Sequence, residues 1–268
     1  MPEHYSYSLL GHFADGGIAS LERIVLEDGR KAILRILQSS AIFSLRQQMQ
    51  FRRGIKIRAA LSPHPRIVTS YEIGAKGLRP YEIIELVEGK NLKILMNNRD
   101  PILQTEMMSI LTQCAEAIAW IHTNGFMHLD IKPENFLIDT SSPKPVIKLT
   151  DFDLAQPASN NGPRKQSGTP SYMAPEQFKT KTSYMASDVF AFSVMAYQIV
   201  TGGKQPFPSS SQKGSRHKQA SENFTPRSPV DHDPTVPPRL NNAIMMGLEK
   251  RLEKRLPDMN AFLRKLHS

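Results

Sequence analysis

The stretch from Phe126 to Ala155 limits most sharply what this chain can fold into. It runs Phe126-Met127-His128-Leu129-Asp130-Ile131-Lys132-Pro133-Glu134-Asn135-Phe136-Leu137-Ile138, then a Ser/Pro turn, then Val146-Ile147-Lys148-Leu149-Thr150-Asp151-Phe152-Asp153. Pro133 keeps a helix from running from Asp130 to Asn135, so that step is a loop. The apolar run Phe136–Ile138 and the alternation Val146–Leu149 predict two short strands joined by a turn over 139–145. Such a hairpin sets Asn135 beside Asp151. Asp130 is a carboxylate that can accept a proton from an attacking hydroxyl. Asn135 and Asp151 are hard oxygen donors of the kind that suit magnesium. The spacing fits metal-assisted phosphoryl transfer.

H-L-D-I-K-P-E-N followed by D-F-D resembles the catalytic loop and metal-binding motif of eukaryotic-type protein kinases. The resemblance implies roles that the residues alone do not prove. Asp130 would be the catalytic base, Lys132 a phosphate-stabilising cation, and Asn135 and Asp151 the metal ligands, with ATP and Mg2+ or Mn2+ as cofactors. Lys132 ahead of Pro133, and Gly168-Thr169 ahead of Ala174-Pro175-Glu176, look like the serine/threonine subclass.

The resemblance extends in both directions. Residues 1–38 predict three strands, Tyr5–Leu10, Ile24–Leu26 and Ala32–Leu37, the last two flanking the hairpin signal Glu27-Asp28-Gly29-Arg30. Gly11-His12-Phe13-Ala14-Asp15-Gly16-Gly17-Ile18 is similar to the glycine-rich loop, with Gly11 and Gly16 as first and third glycines and Ile18 facing the nucleotide. Phe13 stands where the second glycine belongs, and there a side chain keeps backbone N–H groups from phosphates. The strand Lys31–Leu37 resembles the family's V-A-x-K strand. It puts Ile33 at the nucleotide-contacting alanine position and Arg35 at the lysine position. Arginine keeps the charge but not the shape of lysine. The next helix, expected over Ala41–Leu61, carries Gly54 where the lysine's glutamate partner belongs, and Arg58 near the apolar spine that aligns the lobes. With no glutamate on that helix, Arg35 is expected to be unfixed.

Tyr81–Val87 followed by Glu88-Gly89 is similar to the hinge between two lobes. Ile84 would lie behind the adenine, Glu85 and Val87 would offer it backbone groups, and Leu137 would close the pocket from below. Helical patterns follow at Leu92–Met96 and Leu103–Asn124. Ser167–Glu176 resembles the substrate-positioning segment, Asp188 the aspartate that caps the catalytic loop, and Arg255 the partner of Glu176. Leu240, Ile244, Leu248 and Leu252 predict one helix, and Phe262, Leu263 and Leu266 another. Residues 204–238 are Ser/Pro-rich and basic, and are expected to form a mobile loop.

Charge and cysteine content bound the partners. The net charge is +9, and between Asp28 and Glu72 there is no acidic residue, only Arg30, Lys31, Arg35, Arg46, Arg52, Arg53, Lys56, Arg58 and Arg66. Such an interval suits an acidic or phosphorylated protein partner as well as a solvated face. No aromatic residues are interleaved as in a base-stacking platform, so nucleic acid is the less favoured partner. The single cysteine, Cys114, sits on an apolar helical stripe and is expected in the core. One cysteine excludes an internal disulfide and fits a reducing cytoplasm. The first 25 residues hold no long apolar core, and Val189–Val200 is too short to span a bilayer.

The expectation is a single α+β kinase-like domain over 1–268. Residues 1–87 would form a small antiparallel sheet with one helix, and 88–268 a mainly helical lobe. Two functions follow from different classes. One is transfer of the γ-phosphoryl group of ATP to Ser/Thr hydroxyls of a protein substrate. The other is a pseudokinase scaffold that uses the fold and the basic N-lobe for binding.

Overall fold

The computed structural model describes residues 5–141, 144–159, 168–209 and 224–268. Period-two alternation organises the first third. Ile24, Leu26, Ala32, Leu34, Ile36, Tyr81 and Ile83 form one buried cluster on one face of a five-stranded antiparallel sheet. The strands are β1 (Tyr7–Asp15), β2 (Ala19–Leu26), β3 (Lys31–Leu37), β4 (Ser70–Lys76) and β5 (Arg79–Glu85), in the order β1-β2-β3-β5-β4. Alternation turns Ile33, Arg35 and Leu37 to the opposite face. The β3–β5 register sets Arg35 across from Glu82 and Ile33 across from Ile84.

The expected glycine-rich loop is strand for most of its length. β1 runs through Gly11, His12 and Phe13 to Asp15, bulged at two points, and the chain reverses only at Gly16-Gly17-Ile18. Gly11 adopts φ +135 at one irregularity, a conformation open to glycine. The predicted first strand is thus too short, and the second starts earlier than Ile24.

Helix α1 covers Leu45–Leu61, not Ala41–Leu61. Ser39–Ala41 is a 3-10 turn, and Ser44 caps α1 by accepting a hydrogen bond from the Gln47 N–H at 3.4 Å. α1 packs beneath the sheet, and its buried Gly54 lies against the backbone of Phe152 and Asp153.

The second part is mainly helical. Strand β6 (Gly89–Asn91) leads into α2 (Leu92–Asn97), and the predicted Leu103–Asn124 helix divides into α3 (Ile102–Thr105) and α4 (Met107–Thr123). β7 (Phe126–Met127) precedes the hairpin of β8 (Phe136–Asp139) and β9 (Val146–Leu149), and β10 (Gln156–Pro157) pairs back with β7. The Leu149 N–H donates to Arg66 O at 2.8 Å and the Val68 N–H to Leu149 O at 3.0 Å, which ties this hairpin to the segment ahead of β4.

Helices α5 (Pro175–Lys179), α6 (Met185–Val200), α7 (Pro238–Gly247) and α8 (Met259–His267) complete the described elements. α6 is buried along almost its whole length and centres the largest apolar cluster, which also takes in Cys114. α7 ends at Gly247, so Leu252 lies beyond it among turns. Of the expected loop 204–238, residues 210–223 lie outside the described residues, and Pro229–Asp231 forms a 3-10 turn. Among the described residues, no helix is long and apolar enough to cross a membrane.

Candidate active site

The β8–β9 hairpin does what its sequence pattern promised. Phe136 pairs with Leu149, and the Thr150 N–H donates to Asn135 O at 2.9 Å, so Asn135 lies next to the residue before Asp151. Upstream, Asp188 at the head of α6 accepts hydrogen bonds from the backbone N–H groups of His128 at 2.7 Å and Leu129 at 2.8 Å. His128 Nε2 meets Thr150 O at 3.1 Å, and its ring stands edge-on to Phe152 with centroids 5.0 Å apart. Held in this way, Leu129 takes φ +65 and Asp151 φ +60. Non-glycine residues in that region persist only where their surroundings over-determine them, and they concentrate at functional sites.

Asp130 is closely supported. The Lys132 ammonium donates to Asp130 Oδ2 at 2.7 Å and to Thr169 Oγ1 at 3.2 Å, and the Thr169 hydroxyl donates to Asp130 Oδ1 at 3.1 Å. The Asn135 amide donates to Asp130 O at 2.7 Å and to Oδ2 at 3.2 Å. Asn135 thereby spends its nitrogen and leaves Oδ1 to offer a cation. Asp151 Oδ1 is buried and has no hydrogen-bond partner. A carboxylate oxygen without a hydrogen-bond partner and an amide oxygen, on residues drawn together by the β8–β9 hairpin, fit a magnesium ion. Among the described residues no group of three or more His, Cys, Asp or Glu could enclose a metal alone. Magnesium does not need one, because it binds through one or two carboxylates and completes its shell with water and substrate phosphates.

Beneath the sheet, Ile33, Val68 and Ile84 form a small apolar cluster, with Leu21, Leu86, Val87 and Leu137 packed against it. Four of the expected nucleotide-contacting residues, Ile33, Ile84, Val87 and Leu137, are thus brought together. Glu85 ends β5 beside them, and its carboxylate is held by the Lys148 ammonium at 2.7 Å. Ile18 is placed elsewhere: it packs with Ala19, Leu37, Ala41, Phe51 and Ile55. Leu21 occupies the slot instead. Strand register alone decides this, because the reversal comes at Gly16-Gly17 rather than after Gly11. Gly16 lies at that reversal, and Gly11 stays in β1 opposite Arg23. Phe13 is exposed, with the Arg23 guanidinium 4.6 Å from its ring centre.

Arg35 overturns the expectation that nothing fixes it. It is 7% exposed, its Nη1 donates to Glu82 at 2.9 Å, and its Nη2 donates to Asp153 Oδ2 at 2.5 Å. The same Nη2 lies 4.0 Å from Asp151 Oδ1. Burial alone would lower its pKa, but the carboxylates of Asp153, Glu82 and Asp151 outweigh that and hold it above the usual arginine range. Glu82, 0% exposed, also takes the Nη1–H of Arg58 at 2.7 Å. Arg58, 1% exposed, lies 5.4 Å from the Phe152 ring centre. The sequence singled out Arg58 but not its pairing, and Glu82 and the partnering role of Asp153 were missed. The one signal for Glu82 is a charged residue inside the apolar run of β5.

The basic interval also thins out as a surface. Arg35 and Arg58 are buried. Arg53 donates to Ala155 O at 2.8 Å, Arg66 pairs with Glu116 at 3.1 Å, and Arg30 pairs with Asp28 at 2.6 Å. On α1, Arg46, Arg52 and Lys56 remain exposed. At the far end, Arg255 clasps Glu176 bidentately at 2.8 Å and 3.0 Å, as the motif comparison implied.

An antiparallel sheet over a helical half, with a supported carboxylate and two metal-capable oxygens where they meet, defines a two-lobed kinase fold. The chain belongs to the protein kinase domain family, whose model matches residues 7–265. It is 27% identical over 263 residues to a probable serine/threonine-protein kinase PknB of Lactococcus lactis, covering 96% of this chain and 41% of that protein. It is 31% identical over 252 residues to serine/threonine-protein kinase PrkC of Bacillus subtilis, covering 91% and 37%. It is 27% identical over 281 residues to serine/threonine-protein kinase PknB of Mycolicibacterium smegmatis, covering 99% and 44%. The chain therefore spans less than half the length of these relatives.

Proposed function

We propose that this chain is a serine/threonine protein kinase domain, with lobes meeting near residue 87, that transfers the γ-phosphoryl group of ATP to a hydroxyl of a protein substrate. The observation that carries this is the closed set of hydrogen bonds joining Asp130, Lys132 and Thr169. A carboxylate fixed at both oxygens is pre-aimed to accept the proton of an attacking hydroxyl. Lys132 holds one oxygen of that carboxylate and carries charge toward the transferred group. Thr169 connects the base to the segment expected to position a polypeptide. Asn135 and Asp151 offer the oxygens for magnesium or manganese, and ATP with its metal supplies the phosphoryl group and the neutralisation of its charge. Ile33, Ile84, Val87, Leu137 and Leu21 give the adenine an apolar slot. The exposed Arg46, Arg52 and Lys56 favour an acidic or phosphorylated protein as substrate or partner.

The test is direct. Purified protein with radiolabelled ATP, magnesium or manganese and a generic protein substrate is expected to label serine or threonine, and Asp130→Asn is expected to abolish the label. Absence of transfer by the unaltered protein would overturn the proposal.

One observation favours a second reading, the scaffold. Arg35 is nearly sealed from solvent and already holds two carboxylates. On that reading Asp130→Asn leaves every cellular role intact.

A further inference from the structure

Three departures from the family pattern meet at one point: Arg35, Gly54 and Asp153, the last standing where the D-F-G motif of the family has its glycine. A Cβ built on Gly54 would lie 2.8 Å from Phe152 O and 3.1 Å from Asp153 Cα. Those are backbone atoms, which do not yield as the tip of a flexible side chain does. No glutamate fits at position 54 in this packing, and α1 carries no other acidic residue. The missing partner is supplied from the other side of the contact: Asp153 reaches Arg35 Nη2 at 2.5 Å.

Charge balance favours a carboxylate at position 153. Arg35 and Arg58 are both buried, and both donate to the same Oε1 of Glu82, at 2.9 Å and 2.7 Å. One carboxylate cannot neutralise two guanidinium groups, and an uncompensated charge in such a place is strongly unfavourable. Asp153 supplies the second carboxylate in hydrogen-bond contact, and Asp151 lies farther off at 4.0 Å from the same Arg35 nitrogen. Geometry explains the arginine. Its planar fork sends one nitrogen to Glu82 and the other to Asp153, whereas a lysine ammonium is a single point that cannot span both in the same way. α1 still grips this segment by other means, since Arg53 donates to Ala155 O at 2.8 Å and to Asp153 O at 3.4 Å.

We propose that Asp153 is the positioning residue for the nucleotide-binding cation Arg35, so that the metal-binding segment itself, rather than helix α1, sets that charge beside Asp151 and the phosphates. This rests on the reading that a nucleotide occupies the cleft. Two consequences separate it from a purely structural brace. Loss of Asp153 weakens binding of the phosphate-bearing ligand but not of the bare nucleoside. Restoring the family glycine at 153 harms the protein instead of helping it.

The experiment is an equilibrium titration of the full chain with Mg-ATP and, separately, with adenosine. It uses the unaltered protein, Asp153→Asn, Asp153→Gly, Arg35→Met and the double variant Arg35→Met with Asp153→Asn, with circular dichroism to confirm folding. Asp153→Asn keeps the side-chain volume and carries the test if the glycine variant unfolds. Asp153→Asn and Arg35→Met are each expected to weaken Mg-ATP binding by about tenfold or more, with adenosine binding unchanged. The double variant is expected to be no weaker than Arg35→Met, because the pair acts as one unit. Unchanged or tighter Mg-ATP binding by folded Asp153→Asn or Asp153→Gly overturns the inference, as does strict additivity or an equal loss of adenosine binding. Binding needs no phosphotransfer, so a protein that shows this coupling but labels no substrate overturns the kinase proposal alone. A protein that labels substrate but shows no coupling overturns the inference alone.

Discussion

At the residue scale, Asp130 and Arg35 should fail in different ways. Asp130→Asn removes the proton acceptor but keeps the volume and most hydrogen bonds. It is expected to lower kcat by roughly 100- to 10,000-fold, the usual contribution of a positioned base, with little change in the KM for ATP. Steady-state kinetics check this. Arg35→Ala leaves Asp153 without its cation and takes one of the two guanidinium partners from Glu82, so its first effect is on the fold, a loss of about 3–5 kcal/mol in urea unfolding. Gly54 reverses a natural expectation. Comparison with the family suggests that Arg35→Lys with Gly54→Glu would rebuild the missing pair and raise the rate. Since a Cβ at position 54 would lie 2.8 Å from Phe152 O, that double change is expected to lower both stability and rate. Thermal denaturation and phosphotransfer of Gly54→Ala, Gly54→Glu and the double variant would show it, and a faster double variant would contradict the packing.

At the scale of elements, one side chain couples helix to loop in two places. Asp188, on α6, holds the N–H groups of His128 and Leu129 and shapes the loop that carries Asp130. Asp188→Ala leaves both donors buried without acceptors, at a cost of about 1–3 kcal/mol for each. Amide hydrogen exchange at His128 and Leu129 is expected to quicken well beyond the general change across α6. Slower exchange at the two sites than in the unaltered protein would speak against the capping role. Arg255 and Glu176 anchor α5 in the same manner, with the Arg255 side chain buried. These anchors follow from motif spacing. The division of the predicted 103–124 helix at Glu106 does not, because its apolar stripe continues across the break.

Across the whole molecule, Cys114 reports on the integrity of the larger core. It is 0% exposed, and burial raises its thiol pKa well above the ordinary value, so almost no thiolate forms at neutral pH. Native protein at pH 8 is expected to resist a maleimide for hours and to react within minutes in strong denaturant. Mass spectrometry of both samples decides, and rapid native labelling would place Cys114 outside the core. The net charge of +9 proves a weaker guide than its pattern suggested. Several of the basic residues between Asp28 and Glu72 serve internal ion pairs or backbone carbonyls, so total charge overstates the free basic surface.

Local patterns determined a good deal. The strand alternation, the hairpin that sets Asn135 near Asp151 and the apolar run of α6 all depend on residues close together in the chain, where periodicity and turn chemistry act. The places where local reading failed depend on register and on contacts between distant segments. The reversal at Gly16-Gly17, and with it the exchange of Ile18 for Leu21 in the apolar slot, followed from how β1 pairs with β2, which no short window encodes. Arg35, Arg58, Glu82 and Asp153 come from four separate elements. In the sequence they are a strand arginine, a helix arginine, a strand glutamate and a loop aspartate, with nothing local to join them. Only the tertiary structure buries them together, and burial is what makes their pairing obligatory, because charges that water would tolerate singly must there be balanced by one another.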